Sequence, residues 1–242
     1  MGKLFHRLLY RLLPLGGYLR VVSRMFFIYR ALGIGRHGRA LEYNYHLPQL
    51  VGQGATVIDI GANLGYYTRP LSAIVGDAGH IYAVEPVPVI FEVLKRNVVG
   101  RKNVPLLNSA RGSEERTIDM ANDSVAAAGY FGTGRNFVSD GELSGEAIKF
   151  SAEMRRGSEL FANLERVDFM KCDIEGYERV VIPEMRAIIE RHHPTVLIET
   201  DGDTRHEIIE MFTQMGYRAY MLEGGKEVKL DAASDKDIIF RY

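Results

Sequence analysis

Residues 56–68, Thr-Val-Ile-Asp-Ile-Gly-Ala-Asn-Leu-Gly-Tyr-Tyr-Thr, constrain the fold more than any other stretch of this 242-residue chain. A short apolar run ends in a carboxylate, Asp59, then passes through a turn with Gly61 and Gly65 into a helix-like run. Glycine has no side chain to obstruct a tight turn or a close approach to a ligand. The stretch therefore reads as a first strand feeding a binding loop in an α/β sheet, whose ligands gather at strand carboxyl ends. Further on, GHIYAVEP ends a second strand in Glu85, placed to accept hydrogen bonds from a ribose diol. Together the two signals point to an adenosine-bearing ligand.

The spacing of the loop selects among such ligands. A dinucleotide fingerprint needs Gly-x-Gly-x-x-Gly, with a helix amino end facing pyrophosphate. Here the run is Gly61-Ala62-Asn63-Leu64-Gly65, without a glycine in the sixth place, and the chain has no GxxxxGK[ST] loop. An acid directly before the loop repels pyrophosphate but suits the ammonium of a methionyl group. S-adenosylmethionine fits better than NAD.

VIDIGANLGYYT, AVEP, FMKCDIEGYE and VLIET, in this order over about residues 50–200, resemble the FkbM-type family of S-adenosylmethionine-dependent methyltransferases. The resemblance implies a class I methyltransferase fold: a mostly parallel seven-stranded Rossmann-like sheet, helices on both faces and an antiparallel last strand. It also implies O-methylation of a hydroxyl on a sugar, glycolipid or polyketide-like acceptor. An N- or carboxyl-methyltransferase and a non-catalytic cofactor-binding scaffold are the alternatives. Asp59, Gly61, Asn63, Gly65, Glu85 and Asn108 are the implied cofactor residues. One departure precedes the fourth strand, where the family's Thr-x-x-x-Leu-Asp-like segment is replaced by SAEMRRGSELFANLERVDF.

Hydrophobic periodicity predicts strands at about 56–60, 80–85, 103–110, 167–173, 194–200, 218–223 and 237–242. Helices are expected at 64–75, 87–98, 179–191 and 204–215. Residues 112–146, polar and Gly-rich, read as a long irregular stretch from which substrate loops emerge. Strand ends bring Asp59, Glu85, Asp173, Glu175, Glu199 and Asp201 to one edge. Asp173 and Glu175 are the candidate catalytic residues, with Lys171 beside Asp173 as an ion-pair partner. Glu175 also suits the cap of the following helix. A magnesium site built from Asp173 with Glu199 or Asp201 is conceivable but not favoured, because carboxylates there also offset the sulfonium and ammonium charges. Metal ligands are thus not assigned.

Residues 1–41 hold eight Lys/Arg and no acid, which leaves 22 Lys/Arg against 31 Asp/Glu in 42–242, the expected catalytic domain. Arg7 and Arg11, then Arg20 and Arg24, recur at helical spacing among Leu and Phe, so the arm reads as two amphipathic basic helices broken near Pro14-Leu15-Gly16-Gly17. A lid or dimer helix is one use of such an arm. Peripheral attachment to anionic lipid through residues 1–34 is another. No apolar run approaches a membrane span, and no nucleic-acid motif appears. The lone Cys172, in an apolar strand, excludes an internal disulfide and fits a reducing compartment, so the expected location is cytoplasmic, with a membrane-peripheral one as the alternative.

Overall fold

The sheet grows outward from residues 56–60, whose side chains are buried on both faces. The computed structural model describes residues 2–36, 38–39, 41–139, 147–200, 202–231 and 233–242. Asp201 and the end of the 112–146 stretch, residues 140–146, lie outside them.

Helices α1 (Lys3–Leu12), α2 (Leu15–Ala31) and α3 (Glu42–Leu50) precede β1 (Thr56–Ile60), α4 (Thr68–Val75), β2 (His80–Val84), α5 (Pro88–Asn97) and β3 (Leu106–Leu107). A smaller unit follows: β4 (Ala110–Arg111), β5 (Arg116–Asn122), α6 (Ser124–Ala128), β6 (Asn136–Val138) and β7 (Ile148–Arg155). The chain then returns through α7 (Gly157–Leu160), β8 (Phe169–Cys172), α8 (Glu178–Glu184), α9 (Arg186–His192), β9 (Thr195–Ile198) and α10 (Gly202–Gln214). It closes with β10 (Arg218–Glu223), β11 (Lys226–Lys229) and β12 (Ile238–Arg241).

The main sheet has the order β11-β10-β12-β9-β8-β1-β2-β3, parallel from β9 to β3, with β12 antiparallel to both its neighbours. This is the expected class I methyltransferase arrangement with one added edge strand. The eighth strand arises because Gly224 and Gly225 both hold positive φ, which makes a two-residue hairpin turn of what the sequence suggested was a loop. Side-chain alternation then fills both faces. Ile58, Met170, Ile198 and Phe240 pack under Ile182, Ile189 and Phe212. Val57, Ile81, Leu197 and Ile239 pack under Leu47, Leu71 and Leu94.

Three expectations are corrected. Residues 112–146 are not irregular throughout: β5 and β6 join β4 and β7 in a second sheet of order β4-β7-β5-β6. The expected third strand, 103–110, shrinks to β3, since Pro105 has no N–H to donate and the chain crosses to the small sheet by Ala110. The first-loop helix begins at Thr68 rather than Leu64, because Gly65 at φ 84 stands outside helical space.

The basic arm does form two helices, and its inner face belongs to the core. Tyr18 and Leu19 on α2 are buried with Leu64, Ile90 and Val93, in a cluster shared with the small sheet. Arg7 on α1 donates from Nε to the Ala128 carbonyl at 2.7 Å, and the His6 ring stacks on Tyr130 at 4.9 Å. Leu19→Ala should therefore cost about 2–5 kcal/mol, as for other fully buried leucines. Urea denaturation measures it, and a midpoint equal to wild type would show the arm to be loosely attached.

Candidate active site

At the carboxyl edge of the main sheet, β1 and β8 are locked together by close backbone contact. Gly61 follows β1 at φ 78, and a Cβ placed there would stand 1.9 Å from the Asp173 carbonyl oxygen. Only glycine fits. The register that pairs Asp59 with Lys171 puts both on one face, and Lys171 is buried. Its Nζ donates to the Gly61 carbonyl at 2.9 Å, pairs with Asp173 Oδ2 at 2.9 Å and stands 5.2 Å from the centre of the Tyr67 ring. Burial works against that ammonium, but the carboxylates of Asp173 and Asp59 outweigh it and hold Lys171 above its ordinary value.

A cleft of about 370 Å³ opens above this lock, between the main sheet and the small one. One wall carries Gly61, Asn63 and Glu85, and the floor carries Asp173, Glu175 and Glu199. The opposite wall, with Met120, Thr133, Gly134, Asn136 and Val138, comes from the small sheet and its loops. Glu85 is buried and accepts backbone N–H groups from Val87 on Oε1 and Asn63 on Oε2, both at 2.9 Å. Burial pushes its carboxyl up to about 7 despite those two bonds. Asn63 holds φ 53 and ties the walls together, donating from Nδ2 to the Thr133 carbonyl at 3.3 Å.

Glu175 also has a positive φ, 56°, a conformation that costs a non-glycine residue about 1–3 kcal/mol. Burial, then the neighbouring Asp173 and Glu178, push its carboxyl up to about 7. Burial and Asp173 likewise raise Glu199. Beyond Asp173 and Glu199 lies a second cavity of about 470 Å³, walled also by Tyr43, Asp235 and Asp237. Burial and Asp173 push the Asp237 carboxyl up to about 6.

The structure thus brings Gly61, Asn63, Glu85, Asp173 and Glu175 to one cleft. Three other expected cofactor residues stand behind it. Asp59 is buried beneath the loop, with Oδ2 accepting from Thr68 Oγ1 at 2.6 Å and Oδ1 without a hydrogen-bond partner among the described residues. Burial raises its carboxyl, opposed by Lys171 and Thr68. Gly65 gives packing room, since a Cβ would stand 3.0 Å from Leu94 Cδ1. Asn108 donates to the Glu85 and Pro86 carbonyls at 2.8 and 3.1 Å, holding that turn from outside. Cys172 is fully buried, and burial pushes its thiol up. Glu178, the first residue of α8, accepts the Ile174 N–H of the preceding loop at 2.7 Å, and neither it nor Glu175 is the N-cap, which is Tyr177. Among the described residues no group of three or more His, Cys, Asp or Glu could hold a metal ion.

Sequence reasoning missed the small-sheet wall. Its signal was present in Ile148-Lys-Phe-Ser-Ala-Glu-Met-Arg155, where alternate residues turn inward.

The methyltransferase FkbM domain matches residues 59–219. The chain belongs to the FkbM methyltransferase family. An FkbM methyltransferase structure from Methylobacillus flagellatus KT overlays 80% of this chain and 45% of that one, with TM-score 0.51 and 12% identity, and shows the same fold. A protein-L-isoaspartate O-methyltransferase of Methanothrix thermoacetophila is 30% identical over 74 residues, 28% of this chain and 35% of that protein. One from Methanosarcina mazei is 33% identical over 92 residues, 35% of this chain and 37% of that protein. The chain matches about a third of the length of these curated relatives. The family's methyl donor is S-adenosylmethionine, and the residues present fit it. The cleft pairs a buried glutamate with a bare glycine wall, and its floor holds carboxylates whose mutual repulsion a sulfonium or ammonium relieves.

Glu85 makes stability depend on pH. Its carboxyl rises from 4.5 to about 7 on folding, so between those values the folded protein keeps a proton that the unfolded chain has lost. Stability should fall as pH rises through that window and stay lower above it. Glu85→Gln should flatten this part of the slope in urea denaturation of the cofactor-free protein. An unchanged slope would mean that the carboxyl is not raised.

Proposed function

We propose that the chain transfers the methyl group of S-adenosylmethionine to a hydroxyl oxygen of a sugar, glycolipid or polyketide-like acceptor. The observation that carries this reading is Glu175, a strained carboxylate with a value near 7 on the floor of the cleft that holds Glu85. A sulfonium is already an activated donor, so the protein must align the acceptor and take up its proton. Glu85 holds the ribose diol, and the bare backbone at Gly61 lets the methionyl end lie against the loop. Asp173, fixed by Lys171, orients the acceptor hydroxyl toward the methyl group. As the new O–CH₃ bond forms and the S–CH₃ bond breaks, the hydroxyl proton passes to Glu175. Small-sheet residues Met120 and Val138 supply the apolar side of the acceptor pocket.

Two variants separate cofactor binding from turnover. Glu85→Ala should weaken S-adenosylmethionine binding by about 1.5–3 kcal/mol, the worth of hydrogen bonds to a charged group. Calorimetry on the folded variant with unchanged affinity would remove Glu85 from the cofactor site. Asp173→Asn should lower turnover by about 10², the cost of misplacing the acceptor hydroxyl, while cofactor affinity stays near wild type. If magnesium restores turnover, Asp173 coordinates a metal instead.

Carboxyl methylation is the second reading, favoured by the name of the relatives from Methanothrix and Methanosarcina. A carboxylate acceptor has no proton to lose, so the pH profile tells the two apart. For a hydroxyl acceptor, kcat/KM should rise with pH through about 7 as Glu175 loses its proton, and Glu175→Gln should abolish that limb. A flat profile that Glu175→Gln does not change would favour the carboxylate. Radiolabelled donor offered to pools of acceptors identifies the compound class.

A further inference from the structure

We infer that the outer face of the N-terminal helices, together with an arginine basin beside it, docks the protein on an anionic phospholipid surface. Arg20 and Arg24 of α2, Arg69 of α4, Arg96 of α5 and Arg101 surround a cavity of about 430 Å³ whose lining contains no carboxylate. Arg101 donates to Ser72 Oγ at 3.3 Å, and burial, then Arg69, hold its guanidinium below its ordinary value. Five arginines around one cavity with no carboxylate among its described lining residues suit an anion, and a guanidinium matches phosphate oxygens in pairs.

The surroundings identify the anion's source. Arg20 and Arg24 are exposed, and at the same four-residue spacing the surface continues through Ile28 of α2 and Leu32 at its C-cap, 55% and 68% exposed. Val99 at the basin is 81% exposed. On α1, Leu4, Leu8 and Leu12 recur at that spacing and are also exposed. Of the ten large hydrophobic side chains exposed among the described residues, seven lie within residues 4–34. A free phosphate ligand has no use for exposed leucines, and a nucleic acid would meet apolar side chains where it needs polar ones. A bilayer interface uses both, with apolar side chains below the headgroups and arginines on the phosphates. The buried Tyr18 and Leu19 keep the opposite face of α2 on the protein, so docking needs no unfolding. Among the described residues no helix is long and apolar enough to cross a membrane.

The test is sedimentation of the full chain with vesicles of phosphatidylcholine alone and of phosphatidylcholine and phosphatidylglycerol in equal parts. Binding should require phosphatidylglycerol and fade as salt rises past a Debye length comparable with the contact. Arg20→Gln and Arg24→Gln should each weaken it about fivefold, the equivalent of about 1 kcal/mol per basic residue. Leu8→Ser with Leu12→Ser should weaken it as well, and thermal melting checks that each variant remains folded. Several outcomes would overturn the inference: no binding at low salt, equal binding to neutral vesicles, or leucine variants that bind like wild type. The last result, with competition by inorganic phosphate, would make the basin a soluble-phosphate site. A gel shift of RNA without vesicle binding would assign the face to nucleic acid.

Discussion

A buried ammonium holds this site together. Lys171 has almost no contact with water, and it survives there because a carbonyl oxygen and two carboxylates surround it. A buried pair of this kind adds little net stability, but removing one partner leaves the other stranded. Lys171 joins the loop after β1, through the Gly61 carbonyl, to the end of β8, through Asp173. One side chain thus carries the registration between two loops at the edge of the cleft, and the Tyr67 ring stands 5.2 Å from its ammonium.

Around that centre the environment divides the carboxylates by duty. Glu85 is held by two backbone N–H groups and has a fixed direction. Asp173 has its cation. Among the described residues Glu175 and Glu199 have no hydrogen-bonded N–H or cation of their own, and burial together with their acidic neighbours raises them against the pull of Lys171. A family of acids at one sheet edge therefore behaves as several different groups, separated by which of them received a partner. The antiparallel return of β12 adds to this, because it brings Asp237 from the far end of the chain to the edge where the parallel strands finish.

The main sheet was legible because its strands are short apolar runs bounded by glycine, proline and charge. Thr56–Ile60 and Arg218–Glu223 stand where the sequence placed them. The places of Asp173 and Glu85 on the cleft were legible for the same reason, since each directly follows a short apolar strand. The small sheet was not. Its strands lie within polar, Gly-rich sequence, and the inward side chains of β5 are mixed in kind, from Ile118 and Met120 to Ala121 and Asn122. Asn122 is buried through bonds to Gly132 and Asn136 that no periodicity reveals. Whether Asp59 and Asn108 face the cleft or stand behind it depends on side-chain direction, which a motif does not encode.

The contact at Gly61 has a consequence for the shape of the cleft. With the backbone of that residue pressed against the Asp173 carbonyl, the loops after β1 and β8 have no freedom to slide past one another. The spacing of the two loops at the cleft edge is then a property of the folded chain and not of its ligands. It is set once, when the sheet assembles.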